Sequence, residues 1–288
     1  MIYVLLNVLV AVSSGCIQNY YCKNLISNSS DSYLFIIIAD LVAVLGLFFV
    51  SPPLRPSAQL LGLSALQGVI LAAETVCIME AMRIGSFSLT YLFSLSALLI
   101  PVCFSAVIWH EKMTLTQILG TLLVLVSMAM TLNVGKKDGQ SVSRRWIGYA
   151  LAAFVLGGLA GLGEKNALYT LDASLTDSFA FYSYLSLITV LLIALVVRRI
   201  RTGEKPALKL KWKHVLPICY IGAGNSAVFL LLLAALRVLP TATVYGTVNG
   251  ARLMLTTVMD VVLFRQKLGK IQFAGLAAGL VAIVFLSL

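Results

Sequence analysis

Charge is scarce along this chain. Only 11% of its 288 residues are Asp, Glu, Lys or Arg, and histidine occurs twice. A soluble domain carries about 25% charged residues. With 60% hydrophobic residues and a mean hydropathy of +0.99, an ordinary soluble domain is excluded. Catalytic side chains are equally sparse. His110 and His214 lie at the edges of apolar stretches, no HExxH helix or GxSxG elbow occurs, and Asp172 and Asp177 merely bound a short loop. An intramembrane enzyme is the alternative of a different class, but no catalytic nucleophile–base set supports it. A channel would need a repeated filter or a charged ring, and neither is present. The five cysteines (Cys16, Cys22, Cys77, Cys103, Cys219) form no CxxC pair, so neither a disulfide framework nor a zinc site is indicated. No metal and no cofactor is expected.

What the chain has instead is ten apolar stretches: 2–22, 33–50, 58–82, 87–109, 114–134, 145–168, 176–198, 214–236, 241–264 and 270–288. A spanning helix needs roughly 20 residues, so ten of them occupy about two-thirds of the chain. The first stretch lacks a basic n-region and an A-x-A site, and reads as a spanning helix and not as a removable signal. Asp31 and Pro52-Pro53 bound the second stretch, Gly135 to Gly139 separates the fifth from the sixth, and Pro240 opens the ninth. Pro101 lies inside the fourth, where it removes one backbone donor and predicts a kink.

The net charge of +10 would suggest nucleic acid in a soluble protein. Here the basic residues sit in short loops, so the partners they imply are lipid headgroups, not nucleic acid. One set of loops holds Lys23, Arg83, the Lys136–Arg145 and Arg198–Lys213 groups, Arg265, Lys267 and Lys270. The other holds Arg55, Lys112, Lys165 and Arg237. The positive-inside rule makes the richer face cytoplasmic and both termini external, with most of the bias coming from the second half.

The halves repeat. Ala81-Met82-Arg83 is followed by Glu111-Lys112, Gln117 and Gly120; Ala235-Leu236-Arg237 is followed by Gln266-Lys267, Gln272 and Gly275. The Ala-to-Gln separations are 36 and 37 residues. Five spans per copy, an odd number, force the second copy to cross in the opposite sense. The expectation is an all-α integral membrane fold of ten transmembrane helices as two inverted five-helix repeats, 1–137 and 138–288. Secondary transporters use this architecture, with the solute site near mid-bilayer between the halves.

The signature Ala81-Met82-Arg83-Ile84-Gly85, Pro101, Glu111-Lys112-Met113, Gln117 and Gly120 resembles the drug/metabolite transporter superfamily, in particular its ten-helix EamA-like members. The second copy departs from it: Leu239 replaces the glycine, Gln266 the glutamate, and no proline matches Pro101. The resemblance implies export or exchange of small organic molecules across the plasma membrane. It also implies a cavity lined by helices one, three and four with six, eight and nine, and helices five and ten at the periphery. Gly275 and Gly279 form a GxxxG on the tenth stretch, which suits close packing there. The small four-helix multidrug exporters carry a membrane glutamate in their first helix. Here that helix has Gln18 and Asn19, so their cation mechanism does not transfer.

Intramembrane charge is expensive, about 2.5–3.5 kcal/mol per residue on the insertion scale, and marks function by default. Asp40, Glu74 and Arg252 stand out. At about 1.5 Å per residue, Glu74 lies roughly 13 Å from the Arg83 end of its helix, and Arg252 roughly 18 Å from the Pro240 end of its own. Those ends are on opposite faces, so the two residues reach similar depth. They are read either as solute contacts or as a permanent ion pair locking the halves. Tyr245, Asn249 and Arg252 fall at i, i+4, i+7 on one stripe. Tyr91 occupies the repeat position of Tyr245, and the pair is read as an aromatic gate or as interfacial belt residues. Asn7, Ser14 and Gln18 form a polar stripe on helix one, and Gln67 precedes Glu74 by two turns. Asp40 is expected to pair with a neighbouring helix, Glu80 with Arg83, and Glu164-Lys165 to snorkel to the interface, with solute contact the lesser alternative for Glu164. Asn225 is a further cavity candidate. Glu111 and Lys112 are assigned to a capped turn.

The candidate solute-binding residues are therefore Gln18, Glu74, Tyr91, Tyr245, Asn249 and Arg252. They suit an alternating-access carrier for a small polar or zwitterionic, amino-acid-like solute. The competing reading is export of cationic drugs with a coupling proton on Glu74.

Overall fold

A computed structural model describes residues 2–50, 56–85, 87–108, 114–133, 143–204, 206–208, 210–239, 241–262 and 270–287. These residues form eleven helices and no strand: α1 (Ile2–Asn24), α2 (Ser29–Val50), α3 (Ala58–Ile84), α4 (Phe87–Ser96), α5 (Leu99–Ile108), α6 (Leu115–Asn133), α7 (Arg144–Thr170), α8 (Ala173–Thr202), α9 (Trp212–Leu236), α10 (Thr241–Val262) and α11 (Lys270–Ser287). Six of them, α1, α2, α3, α7, α8 and α9, are long and apolar enough to cross a membrane. The chain is a multi-pass membrane protein. Pro52-Pro53, His110, Glu111-Lys112-Met113, Lys136, Pro240 and Gln266-Lys267 lie outside the described residues.

Helix α2 begins earlier than Asp31 suggested. Asn28 Oδ1 accepts from the Asp31 N–H at 2.8 Å, while Asp31 Oδ2 accepts from the Ser27 N–H at 3.1 Å. That reciprocal capping starts the helix at Ser29. The Asp31 carboxylate also accepts from the Ala207 N–H at 2.7 Å, tying the α1–α2 turn to the segment that follows α8.

The kink predicted at Pro101 is a full break. Proline has no N–H to offer the Ala97 carbonyl four residues back. The Ile100 N–H takes that carbonyl instead at 3.0 Å, and the Leu98 N–H reaches Leu95 O at 3.4 Å. The one apolar stretch therefore becomes α4 and α5. Its counterpart in the second half has no proline, and α10 runs unbroken from Thr241 to Val262.

Packing partners recur in reciprocal pairs. Helix α3 lies against α7 and α8, and α9 lies against α1 and α2. Helix α10 meets α1 as α4 and α5 meet α7. Helices α6 and α11 pack mainly on each other. At that contact Ser127 Oγ donates to Gly275 O at 2.6 Å, and a Cβ on Gly279 would fall 2.8 Å from the same hydroxyl. The GxxxG on the tenth stretch thus sits in a close helix–helix contact. At the helix ends and borders, Arg83 pairs with Glu80 at 2.6 Å and Asn225 Nδ2 donates to Asp40 Oδ1 at 3.0 Å, both as expected.

Helix α9 approaches α2 so closely that a methyl group on Gly222 would fall 2.0 Å from the Ala39 carbonyl oxygen, a backbone atom that cannot move aside. Overpacking of this kind costs about 1–3 kcal/mol. Gly222→Ala should lower the thermal unfolding midpoint of the detergent-solubilised protein by several degrees. Gly62→Ala, where nothing lies within 4 Å of the added methyl, should not. Equal midpoints for the two variants would refute the close α2–α9 contact.

Candidate functional site

The site is built where α3 faces a glycine-rich turn of α7. Gln67 and Glu74, seven residues apart, share one face of α3. Opposite them α7 carries Gly157, Gly158, Gly161 and Gly163. A Cβ on Gly157 would fall 2.8 Å from Glu74 Oε1, and one on Gly163 2.1 Å from Gln67 Oε1. Small residues let the two backbones approach and give the long polar side chains room. Gln67 uses it to donate to Ala160 O at 3.2 Å.

Beyond these residues lies a cavity of about 120 Å³. Its polar wall is Glu74 from α3, Glu164 from α7, and Tyr245, Asn249 and Arg252 from α10; Leu71, Leu232 and Val248 supply apolar surface. The i, i+4, i+7 stripe on α10 faces this space, as its spacing predicts. Arg252 donates to Asn7 Oδ1, and Asn7, wholly buried on α1, donates in turn to the Val228 carbonyl of α9 at 2.7 Å. The Arg252 Nε is buried without a hydrogen-bond partner.

Glu74 and Arg252 meet at one cavity but do not pair. Arg252 lies within electrostatic reach of both Glu74 and Glu164, yet no nitrogen of its guanidinium comes within 4.0 Å of either carboxylate. Among the described residues nothing donates a hydrogen bond to Glu74. A permanent ion pair locking the halves is therefore absent in this conformation. Two acids and one base face a common space, each with capacity left over.

Several expectations are corrected. Glu164 and Lys165 do not snorkel to an interface: they are 7% and 3% exposed. Glu164 Oε2 accepts from the Tyr245 hydroxyl at 2.8 Å, and Lys165 Nζ donates to Thr241 Oγ1. Glu164, the lesser solute candidate in the sequence, lines the cavity. The signal was the glycine run, since Glu164 lies on the face of Gly157 and Gly161, at i+7 and i+3. Asn249 lines the cavity, but its amide nitrogen is committed to Leu95 O at 3.1 Å, a carbonyl in the last turn of α4 that also accepts from the Leu98 N–H at 3.4 Å. Tyr245 is 6% exposed within the site and so belongs to no interfacial belt. Tyr91 is half-buried, with its hydroxyl against Gly15 of α1 and its ring 4.7 Å from Phe87; it is not one of the residues lining the cavity, but it lies within electrostatic reach of Arg252. Gln18 is half-buried on α1 and is not brought to the cavity either. Asn225 serves Asp40 instead. Helix one contributes only Asn7, behind Arg252.

An interior polar cavity enclosed by long apolar helices defines a membrane protein built to accommodate a solute. The family model of the EamA-like transporter family matches residues 144–288, and the chain belongs to that family, part of the drug/metabolite transporter superfamily. No curated protein matches the chain in sequence. One solved crystal structure is similar to it in fold, with a TM-score of 0.65 over 99% of this chain and 94% of its own, at 15% identity. At that identity the likeness concerns the fold alone.

Losing the donor to a buried carbonyl costs about 1–3 kcal/mol. Asn249→Leu should therefore destabilise the protein by that order, read as a lower midpoint in thermal unfolding monitored by intrinsic fluorescence. A midpoint matching the unsubstituted protein would mean that the Leu95 carbonyl does not depend on Asn249.

Proposed function

We propose that this protein is a secondary carrier that moves a small, amino-acid-like solute across the plasma membrane by alternating access, in the export direction. Two five-helix units, 1–137 and 138–288, cross the membrane in opposite senses and enclose the solute between them. Reciprocal helix packing supports this reading: α3 on α7 and α8 answers α9 on α1 and α2, with α6 and α11 paired at the edge. The broken stretch α4–α5 counts as one crossing and corresponds to α10, which gives ten in all.

The observation that carries the functional reading is the pair of unmatched charges at one cavity. A buried ion pair used only for structure closes on itself. Here the Arg252 Nε and the Glu74 carboxylate are left for a third party, and a solute bearing both a carboxylate and an ammonium group satisfies them together. The family is one of transporters, so these groups bind and release and do not transform their solute. A second reading, export of cationic drugs with a coupling proton on Glu74, draws on the same unpartnered carboxylate but leaves Arg252 without a role.

Truncating one side of a desolvated charge contact costs roughly 2–5 kcal/mol. In proteoliposomes, Arg252→Ala should lower counterflow of amino acids at least about 30-fold per correctly folded, reconstituted protein. Cation-drug export that survives Arg252→Ala, in a protein that never exchanges amino acids, would replace this reading with the second.

A further inference from the structure

Resting on that carrier reading, we infer that the solute is a basic, diamino-type amino acid carrying one carboxylate and two cationic groups. The sequence offered one acid and one base at matching depth, which suits a neutral zwitterion. The fold brings a second acid, Glu164, to the same cavity and, among the described residues, no second base. Lys165, adjacent in sequence, bonds Thr241 instead. The cavity thus presents two carboxyl groups against one guanidinium. A neutral zwitterion would satisfy Arg252 and one carboxyl group and leave the other buried in the cavity without a cation, an unfavourable state for its charged form. A solute of net charge +1 answers all three groups.

Each group has an atom to spare for that contact. Arg252 is held by Asn7 through one terminal nitrogen, while its Nε has no partner. Glu74 has both oxygens available. Glu164 receives the Tyr245 hydroxyl on Oε2, which fixes the carboxylate and leaves Oε1 for a cation. Between them Leu71, Leu232 and Val248 provide surface for an aliphatic stem. Tyr245 is a positioning residue for Glu164 in this arrangement.

The test is competition against lysine counterflow in proteoliposomes containing the full chain, with ornithine, glutamine, glutamate and cadaverine as competitors. Ornithine should compete as lysine itself does, and glutamine roughly tenfold more weakly. Glu164→Gln should reverse that order by losing lysine and retaining glutamine, while Glu164→Asp keeps it. If Glu164→Gln does not fold, the competition order in the unsubstituted protein decides alone. Glutamine equal to or better than lysine, with Glu164→Gln unchanged, would overturn the inference and leave an amino-acid carrier standing. Cadaverine equal to lysine would overturn it by removing the carboxylate requirement. Failure of every amino acid to exchange would overturn the carrier reading itself.

Discussion

Hydrocarbon offers no hydrogen bonds, and that constraint arranges this structure. Every polar group within the spans must find a partner inside the chain or face a space that a polar guest can fill. Most find partners: Asp40 with Asn225, Asn7 with the Val228 carbonyl, and Ser127 with the Gly275 carbonyl. Among the described residues the Glu74 carboxylate and the Arg252 Nε have no hydrogen-bond partner, and both belong to residues lining one cavity. Asn19, Ser30, Ser64 and Ser183 also keep buried side-chain atoms without a partner, and none of them lines it, so it is the charge of Glu74 and Arg252 that distinguishes the site.

The proline break shows the rule acting on the backbone. Pro101 interrupts the α4–α5 ladder, and just before that break Asn249 of α10 adds a second donor to Leu95 O, which already accepts from the Leu98 N–H. Helix α10, with no proline inside it, is the unbroken element against which the broken one is braced. In a carrier whose halves rock against each other, this contact is a joint between them at the edge of the binding cavity.

Legibility followed the range of the forces involved. Spans, the Pro101 break and the similar depth of Glu74 and Arg252 depend on hydropathy and rise per residue, which are local. Rotation about a helix axis and choice of partner depend on neighbours, and there the sequence misled. Glu164 looked interfacial because it lies near the end of its apolar stretch. In the fold Lys165 is buried against Thr241, and Glu164 follows the glycine face into the cavity. Gln18 shares a stripe with Asn7 and Ser14, yet only Asn7 reaches Arg252, because α1 touches the site at one level. Asn249 was placed on the right face, but its hydrogen bond to Leu95 O of α4 depends on a neighbour that the sequence does not name.

Asn7 explains how Arg252 can be both fixed and available. A lone guanidinium at this depth would be drawn either to a carboxylate or toward the lipid headgroups. Asn7 is wholly buried and anchored through its own amide to α9, so its carbonyl holds one end of the guanidinium fork in place. A neutral amide does this without cancelling the charge, whereas an acid in the same position would form a closed pair with no demand for an anion. In the proposed carrier, the free edge of the fork would meet a solute carboxylate without first breaking a bond to the protein. Such preorganisation favours binding because the ordering of the site is already complete. The amide on α1, the arginine on α10 and the carbonyl on α9 also join both halves of the chain through the group that would read the solute's charge, so a shift of α1 against α9 and α10 would change the strength of that grip.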